Sequence, residues 1–510
     1  MEYAAAALPP AEEVDVVVVG MGPGGESLAG ELAAAGLSVV GVEARLVGGE
    51  CPYYGCIPSK MMIRAANTLA EARRVPLLAG AATVSPDFTM AARRIRSEAT
   101  DNWDDAVAAQ RFTGKGGMLV RGTGRLTGPR EVTVSPPTDG STTSAGTTAL
   151  PDGERTFRAR LAVVLNPGTN PSVPDVPGLA DTPFWTNREA VQASEAPDSL
   201  IVWGGGPIAV ELAQAFSRFG TKVTMVLRGS RLLSREEPEA AELLETVLRE
   251  EGVEILHHRD VAAVSHADGR FTVEVAGAEA DAGGSPALSR GAGDRPATAR
   301  LSATQLLVAT GRTPALAAVG LAAAGIEWDG SRAPAVDGHM QLAHGTYLIG
   351  DAAGVGAFTH MSMYQGNIAA GHILARAGLD SSTGGRDRGV SEGHAVPHVT
   401  FTDPEIGAVG MTEAQARESG VTVRTGFTEL GASTRGWIHG PGGDGFIKVV
   451  EDAGTGILVG ATSVGPLGGE VLSMLALAVH ARIPVSVLET MIYAYPTFHR
   501  AVPEALSDLR

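Results

Sequence analysis

Two stretches of the chain repeat one pattern of apolar and polar positions. In each, an unbroken apolar run rich in β-branched residues ends at a glycine turn, continues as an alanine-rich helical repeat, and closes with a second apolar run. The first is "VDVVVVGMGPGGESLAGELAAAGLSVVGVE" at 14–43, and the second is "SLIVWGGGPIAVELAQAFSRFGTKVTMVL" at 199–227. Continuous apolar strands joined through a helix belong to a parallel sheet covered on both faces, so the pattern predicts two βαβ units. Towards the C-terminus, "HVTFTDPEIGAVGMTEAQARESG" and "GFIKVVEDAGTGILVGATSVG" alternate strand-like runs with turns and one helix. The stretch "GEVLSMLALAVHARIPVSVLETM" that follows reads as helical, which predicts an α+β domain at that end. Residues 135–154, 276–299 and 378–395 are rich in Gly, Ser, Thr, Asp and Ala without periodicity, and are expected to be surface insertions, the last also a domain boundary.

Length and charge narrow the picture. A chain of 510 residues is expected to form roughly three domains of ~150 residues. A formal charge of -17 with no concentrated basic run argues against nucleic acid as a partner. The opening "MEYAAAALPPAEEVD" has acids where a secretory signal would have lysine or arginine, and reads as a disordered leader. No stretch reaches the ~18 to 20 unbroken apolar residues of a membrane span, so a soluble, cytoplasmic protein without membrane association is expected.

The glycine turns carry the first chemistry. Gly20, Gly22 and Gly25 fit G-x-G-x-x-G between a strand and a helix, and Glu43 ends the next strand. Glycines allow a tight turn and close approach of a pyrophosphate, the helix N-terminus favours its charge, and the carboxylate accepts from ribose hydroxyls. The second unit has Gly204, Gly206 and Ala209, but Leu227 and Arg228 stand where the acid would be. An arginine there suits a 2′-phosphate, so NADPH is preferred over NADH. Alternatively Arg228, Arg231 and Arg235 form a solvated charged face.

The only two cysteines, Cys51 and Cys56, lie in "VGGECPYYGCIPSK" at 47–60. A chain of this length needs no staple, so the pair reads as a working thiol pair rather than a structural disulfide. "GGECPYYGCIPSK" resembles the redox-active signature of the class I pyridine nucleotide-disulfide oxidoreductases. The resemblance continues through "LLVATGRTP" at 306–314, "TYLIGDAAG" at 346–354, "VTFTDPEIGAVG" at 399–410 and "YAYPTFHRAVPEAL" at 493–506.

That resemblance implies an α/β fold with two Rossmann-like dinucleotide-binding domains and an α+β C-terminal dimerisation domain. The expected divisions are an FAD-binding domain at 1–190, an NAD(P)H-binding domain at 191–312, a central second part of the FAD domain at 313–394, and an interface domain at 395–510 in a homodimer. It also implies FAD along Gly20, Gly22, Gly25, Glu43 and Gly49, with Gly311 in the intact A-T-G copy and Asp351 on the ribityl chain. Cys56 would be the charge-transfer thiol, Cys51 the interchange thiol facing a small-molecule substrate, and Lys60 would lie near the flavin, paired with Glu211.

The chain departs from the family pattern in three places. Where disulfide reductases read H-x-H-P-T-x-x-E, this chain has "YAYPTFHR", with Tyr495 at the acid/base histidine and Arg500 at the glutamate. A tyrosine titrates near ~10, poorly matched to proton shuttling at neutral pH, which leaves His499 as a substitute or as a surface residue. "VVLNPGTNP" at 163–171 puts Asn166, Pro167 and Gly168 where A-T-G is usual. Pro207 replaces a tyrosine that covers the nicotinamide site in glutathione reductase-like members. Tyrosine at the histidine position also occurs in mercuric reductases, but their further cysteine pair near the C-terminus has no counterpart here. The leading expectation is an NADPH-dependent flavoprotein reductase acting on a non-standard disulfide, thiol-linked or metal substrate. A quinone or small-acceptor reductase is the alternative, with a thioether lyase or carboxylase and a non-catalytic flavin protein behind it.

Overall fold

The computed structural model describes residues 11–136, 153–277, 298–379 and 389–510. Most of the first two expected insertions (137–152, 278–297), half of the third (380–388) and residues 1–10 of the expected leader lie outside the described residues. The chain divides into two compact units. One contains Met1–Ile57, Arg96–Asn170 and Arg312–Gly393, and the other Pro58–Ile95, Pro171–Gly311 and His394–Arg510.

The first unit is built on an eight-stranded sheet. Strands Thr346–Leu348, Arg155–Leu165, Glu12–Val19, Val39–Glu43 and Met118–Arg121 run parallel in that spatial order. Val16 pairs with Val39 and Val17 with Val40, and on the other side Val17 pairs with Val163. Val16, Val17 and Val18 are wholly buried, which is why this strand reads as an unbroken apolar run. Helices Pro23–Ala34 and Thr359–Arg376 cross at small residues. A Cβ on Gly24 would stand 2.3 Å from Ser362, and one on Gly366 2.9 Å from the Gly24 carbonyl oxygen.

The second unit contains a four-stranded parallel sheet in the order Glu254–Leu256, Lys222–Val226, Ser199–Trp203, Gln305–Val308. Helix Pro207–Arg218 follows its glycine turn. The C-terminal part is a five-stranded antiparallel sheet, Pro397–Thr400, Glu405–Gly410, Ile457–Gly465, Phe446–Asp452 and Val423–Glu429 in spatial order. Helix Gly468–His480 packs on it through Leu472, Leu475 and Val479. The C-terminal helical stretch breaks into Gly468–His480 and Val485–Thr490. Pro484 lacks the N–H a continuous helix needs, and Arg482 sits at φ 50°.

Candidate functional site

The first nucleotide cradle lies wholly within the first unit. Gly20 has φ 94°, and a Cβ there would stand 2.2 Å from the Asn166 carbonyl oxygen, so only glycine can turn the chain at this point. A Cβ on Gly25 would stand 2.2 Å from the Gly20 carbonyl oxygen, and one on Gly49 2.9 Å from Gly22 Cα. Helix Pro23–Ala34 opens at Gly22 with Pro23 in its first turn and no side-chain cap, which leaves its leading amides available to an anion. Glu43 accepts from the Met21 and Arg45 amides at 2.8 Å each. Burial pushes its carboxyl above the usual range, while those two amides pull the other way. Uncapped helix amides, glycines at the close approaches and a held carboxylate are the donor and acceptor set that the pyrophosphate and ribose of FAD require.

Asn166, singled out as a departure, is worked into this cradle. Its Nδ2 donates to the Gly20 carbonyl at 3.1 Å, and its Oδ1 accepts from Ser362 Oγ at 3.3 Å. Asp351 accepts from Thr169 Oγ1 at 3.2 Å. Burial raises the Asp351 carboxyl, with Arg312 acting against it. Arg312 in turn donates to Thr169 Oγ1 at 2.7 Å and to the Thr169 carbonyl at 2.8 Å.

The thiols also belong to the first unit. Cys51 lies in the short helix Glu50–Tyr53, and Cys56 opens the helix Cys56–Leu78. Both are half-buried thiols, and Cys51 is hydrogen-bonded to Cys56. That bond to Cys56, then burial, pushes the Cys51 thiol well above its ordinary value. Cys56 Sγ lies 3.4 Å from Thr359 Oγ1. Thr359 was missed in the sequence because it opens a helix far along the chain and belongs to no motif. Arg312, by contrast, follows the A-T-G copy directly and could have been noticed there.

In the second unit, Gly204 has φ 136°, and a Cβ there would stand 2.2 Å from the Ala309 carbonyl oxygen. Gly206 caps helix Pro207–Arg218, and a Cβ on it would meet nothing within 4 Å. Ala209 is fully buried one turn on, and Gly311 accepts from the Ser172 amide at 2.9 Å. Arg228 is exposed and has no ion pair among the described residues, whereas Arg231 donates to the carbonyls of Ser234 and Glu236 at 2.7 and 2.9 Å. Lys60 Nζ meets Glu211 Oε2 at 2.7 Å and lies 4.7 Å from the Phe401 ring centre. The other oxygen of Glu211 accepts from the Phe401 amide at 2.8 Å.

Tyr495 and His499 have different surroundings. Tyr495 is 69% exposed, and its hydroxyl donates to Thr434 Oγ1 at 3.3 Å. His499 instead lines an open cavity of about 270 Å³ with Arg435, Glu470 and Phe498. No helix among the described residues is long and apolar enough to cross a membrane.

The chain is 32% identical to a mercuric reductase of Acidithiobacillus ferrooxidans over 491 residues, covering 95% of this chain and 81% of that one. It is 31% identical to a dihydrolipoyl dehydrogenase of Thermus scotoductus over 509 residues, covering 97% of each. The HOCl-induced flavoprotein disulfide reductase RclA of Escherichia coli superposes with a TM-score of 0.76 at 25% identity, over 97% of this chain and 99% of that one. Residues 396–506 match the pyridine nucleotide-disulphide oxidoreductase dimerisation domain, which suggests a homodimer. With residues 14–366 matching the main domain as well, the chain belongs to the pyridine nucleotide-disulphide oxidoreductases, flavin-dependent enzymes that bind FAD and use a pyridine nucleotide.

Proposed function

We propose that this enzyme is an NADPH-dependent reductase in which Cys51 and Cys56 form the redox-active disulfide, and that Cys51 meets the substrate, a disulfide, a thiol-linked compound or a metal ion. The observation that carries the reading is the hydrogen-bonded thiol pair, in the same unit as the FAD cradle. Bound FAD supplies the two-electron chemistry that links a pyridine-nucleotide hydride to the disulfide. An exposed Arg228 without an ion partner among the described residues supports NADPH as the donor. The mercuric reductases among the relatives keep a metal ion in the substrate class.

The protein's residues divide the work as follows. Two electrons and two protons convert the Cys51–Cys56 disulfide to two thiols. With a disulfide substrate, Cys51 attacks one sulfur, forms a mixed disulfide and expels one substrate thiol. Cys56 then attacks Cys51, which releases the second thiol and restores the internal disulfide. The Thr359 hydroxyl lies 3.4 Å from Cys56 Sγ, where we assign it the role of donor to the thiolate. Cys51, raised above the ordinary thiol value by its neighbour, needs a base to become the attacking thiolate. Lys60 and Glu211 are assigned to the hydride-transfer side as a mutually neutralising pair.

Thiol counting under anaerobic NADPH tests this. The oxidised enzyme should show no reactive thiol, and NADPH should expose both cysteines of each chain. A flavin that bleaches while the thiol count stays unchanged would overturn the redox-pair assignment. Full turnover of Cys51→Ser with quinones would replace it with direct reduction of small acceptors.

A further inference from the structure

The segment between strand Lys222–Val226 and helix Pro238–Glu250 carries Arg228 and Arg235, and it is held at both ends. At its start it packs on the second glycine turn. A Cβ on Gly205 would stand 2.6 Å from Leu227 Cδ2, and the Leu233 amide donates to the Gly205 carbonyl at 2.8 Å. At its far end it is held by charge. Glu236 Oε1 lies 2.9 Å from His398 Nε2, and Glu237 Oε2 accepts from Lys448 Nζ at 3.0 Å. The second oxygen of Glu237 accepts from the Glu413 amide at 2.7 Å, and Lys448 also reaches Glu239 at 2.7 Å and Glu413 at 3.1 Å.

Lys448 and Glu237 keep only 6% and 2% of their side-chain surface exposed, so this pair is interior, while Glu239 and Glu413, 39% and 30% exposed, stand at its edge. Burial works against the Lys448 ammonium, but its bonds to Glu239 and Glu237 outweigh that and hold it above the ordinary lysine value. Interior ion pairs add little stability over apolar residues of the same volume, while breaking one leaves an uncompensated charge that forces local rearrangement. Their use is to fix one arrangement. The arrangement fixed here is the end of the arginine segment, and the groups that fix it come from two strands of the C-terminal sheet, Pro397–Thr400 and Phe446–Asp452.

We propose that Lys448 and His398 are positioning residues for the pyridine nucleotide: by clamping Glu237 and Glu236 they set where Arg228 and Arg235 stand, and so set the preference for NADPH over NADH. This rests on the NADPH reading above. Part of the coenzyme preference is then held outside the nucleotide-binding sheet, in the dimerisation domain.

Steady-state kinetics of the full-length holoenzyme with both coenzymes test it. Lys448→Met should raise KM for NADPH by roughly ten- to a hundredfold, the scale of a positioning group moved by about 1 Å. KM for NADH and kcat at saturating coenzyme should change by less than about twofold, and Lys448→Arg should restore NADPH binding. His398→Ala, at a more exposed position, should shift KM in the same direction and serves if Lys448→Met folds poorly. In an Arg228→Leu/Arg235→Leu background, Lys448→Met should add nothing further, because its route to the phosphate is gone. If Arg228→Leu itself leaves the NADPH/NADH ratio unchanged, the NADPH reading falls and the coupling falls with it. If Arg228→Leu collapses the ratio while Lys448→Met and His398→Ala leave it alone, or shift both coenzymes equally, the coupling alone is wrong.

Discussion

Replacing Asn166 by alanine is the sharpest test of the first nucleotide cradle. The side chain is 6% exposed and makes two hydrogen bonds, one from Nδ2 to the Gly20 carbonyl at 3.1 Å and one from Ser362 Oγ at 3.3 Å. Each is worth about 0.5–1.5 kcal/mol net, so removing both costs about 1–3 kcal/mol. This bond helps hold Gly20 at φ 94°, in the turn proposed to receive the cofactor's pyrophosphate. Loss of the bond therefore appears as weaker FAD binding, on the order of 5- to 150-fold if the whole loss is coupled. The assay is reconstitution of apoprotein with FAD, followed by flavin fluorescence, with Kd as the readout independent of turnover. Asn166→Asp should bind FAD more weakly still, because it removes the donor and adds a negative charge beside an anion-binding turn. A Kd for Asn166→Ala within about twofold of wild type would refute the reasoning, since a bond that couples to binding cannot vanish without trace.

The reduced Cys51 thiol sits above its ordinary value, so less of it is thiolate at neutral pH than for a free cysteine, and alkylation by iodoacetamide should be slow at pH 7 and still climbing above pH 9. A neutral-pH rate matching free cysteine would contradict this. Lys60→Met leaves Glu211, 7% exposed, without its cation; breaking a buried pair costs about 3–5 kcal/mol. The exposure of Lys60 brings the expected loss down to about 1–2 kcal/mol, measurable by urea denaturation. Gly206→Ala places a methyl group in open space, so unfolding should be nearly unchanged while KM for the pyridine nucleotide rises. A marked stability loss with an unchanged KM would show that this glycine serves the fold instead.

The two βαβ units and the thiol segment could be read from the chain because each is local. An apolar strand, a glycine turn and a helix lie within thirty residues, and the physical demands of the turn show in single residues such as Gly20 and Gly204. Thr359 could not be read, because it reaches Cys56 across 303 positions and no spacing rule links them. Asn166 was visible as a departure but not as a contact. Its partners, Gly20 and Ser362, lie 146 and 196 positions away and meet it only once the sheet has formed. The clamp on the arginine segment was hidden for the same reason, since Lys448 and Glu237 are 211 positions apart and look like ordinary surface charges. The C-terminal helical stretch carried its own break in Pro484, which a helical reading of the apolar pattern passed over.

Arg218 ends the helix that begins at the second glycine turn, and its side chain is 1% exposed. It donates to Glu251 at 3.0 Å, to Asn67 at 2.6 Å and to Asp403 at 2.8 Å, and Asp403 also pairs with Arg74 at 2.8 Å. Gln214 closes the same junction with reciprocal bonds to the Asp403 backbone, both at 2.8 Å. For anyone recombining relatives to build hybrid enzymes, this junction forbids the obvious crossover in the linker before residue 395. A C-terminal segment grafted from another member has to bring its own acid at 403, or the hybrid inherits a guanidinium sealed in the interior with part of its counter-charge gone. Arg218 and Asp403 are thus inherited as one unit, and crossover libraries should be scored on whether they keep the two together.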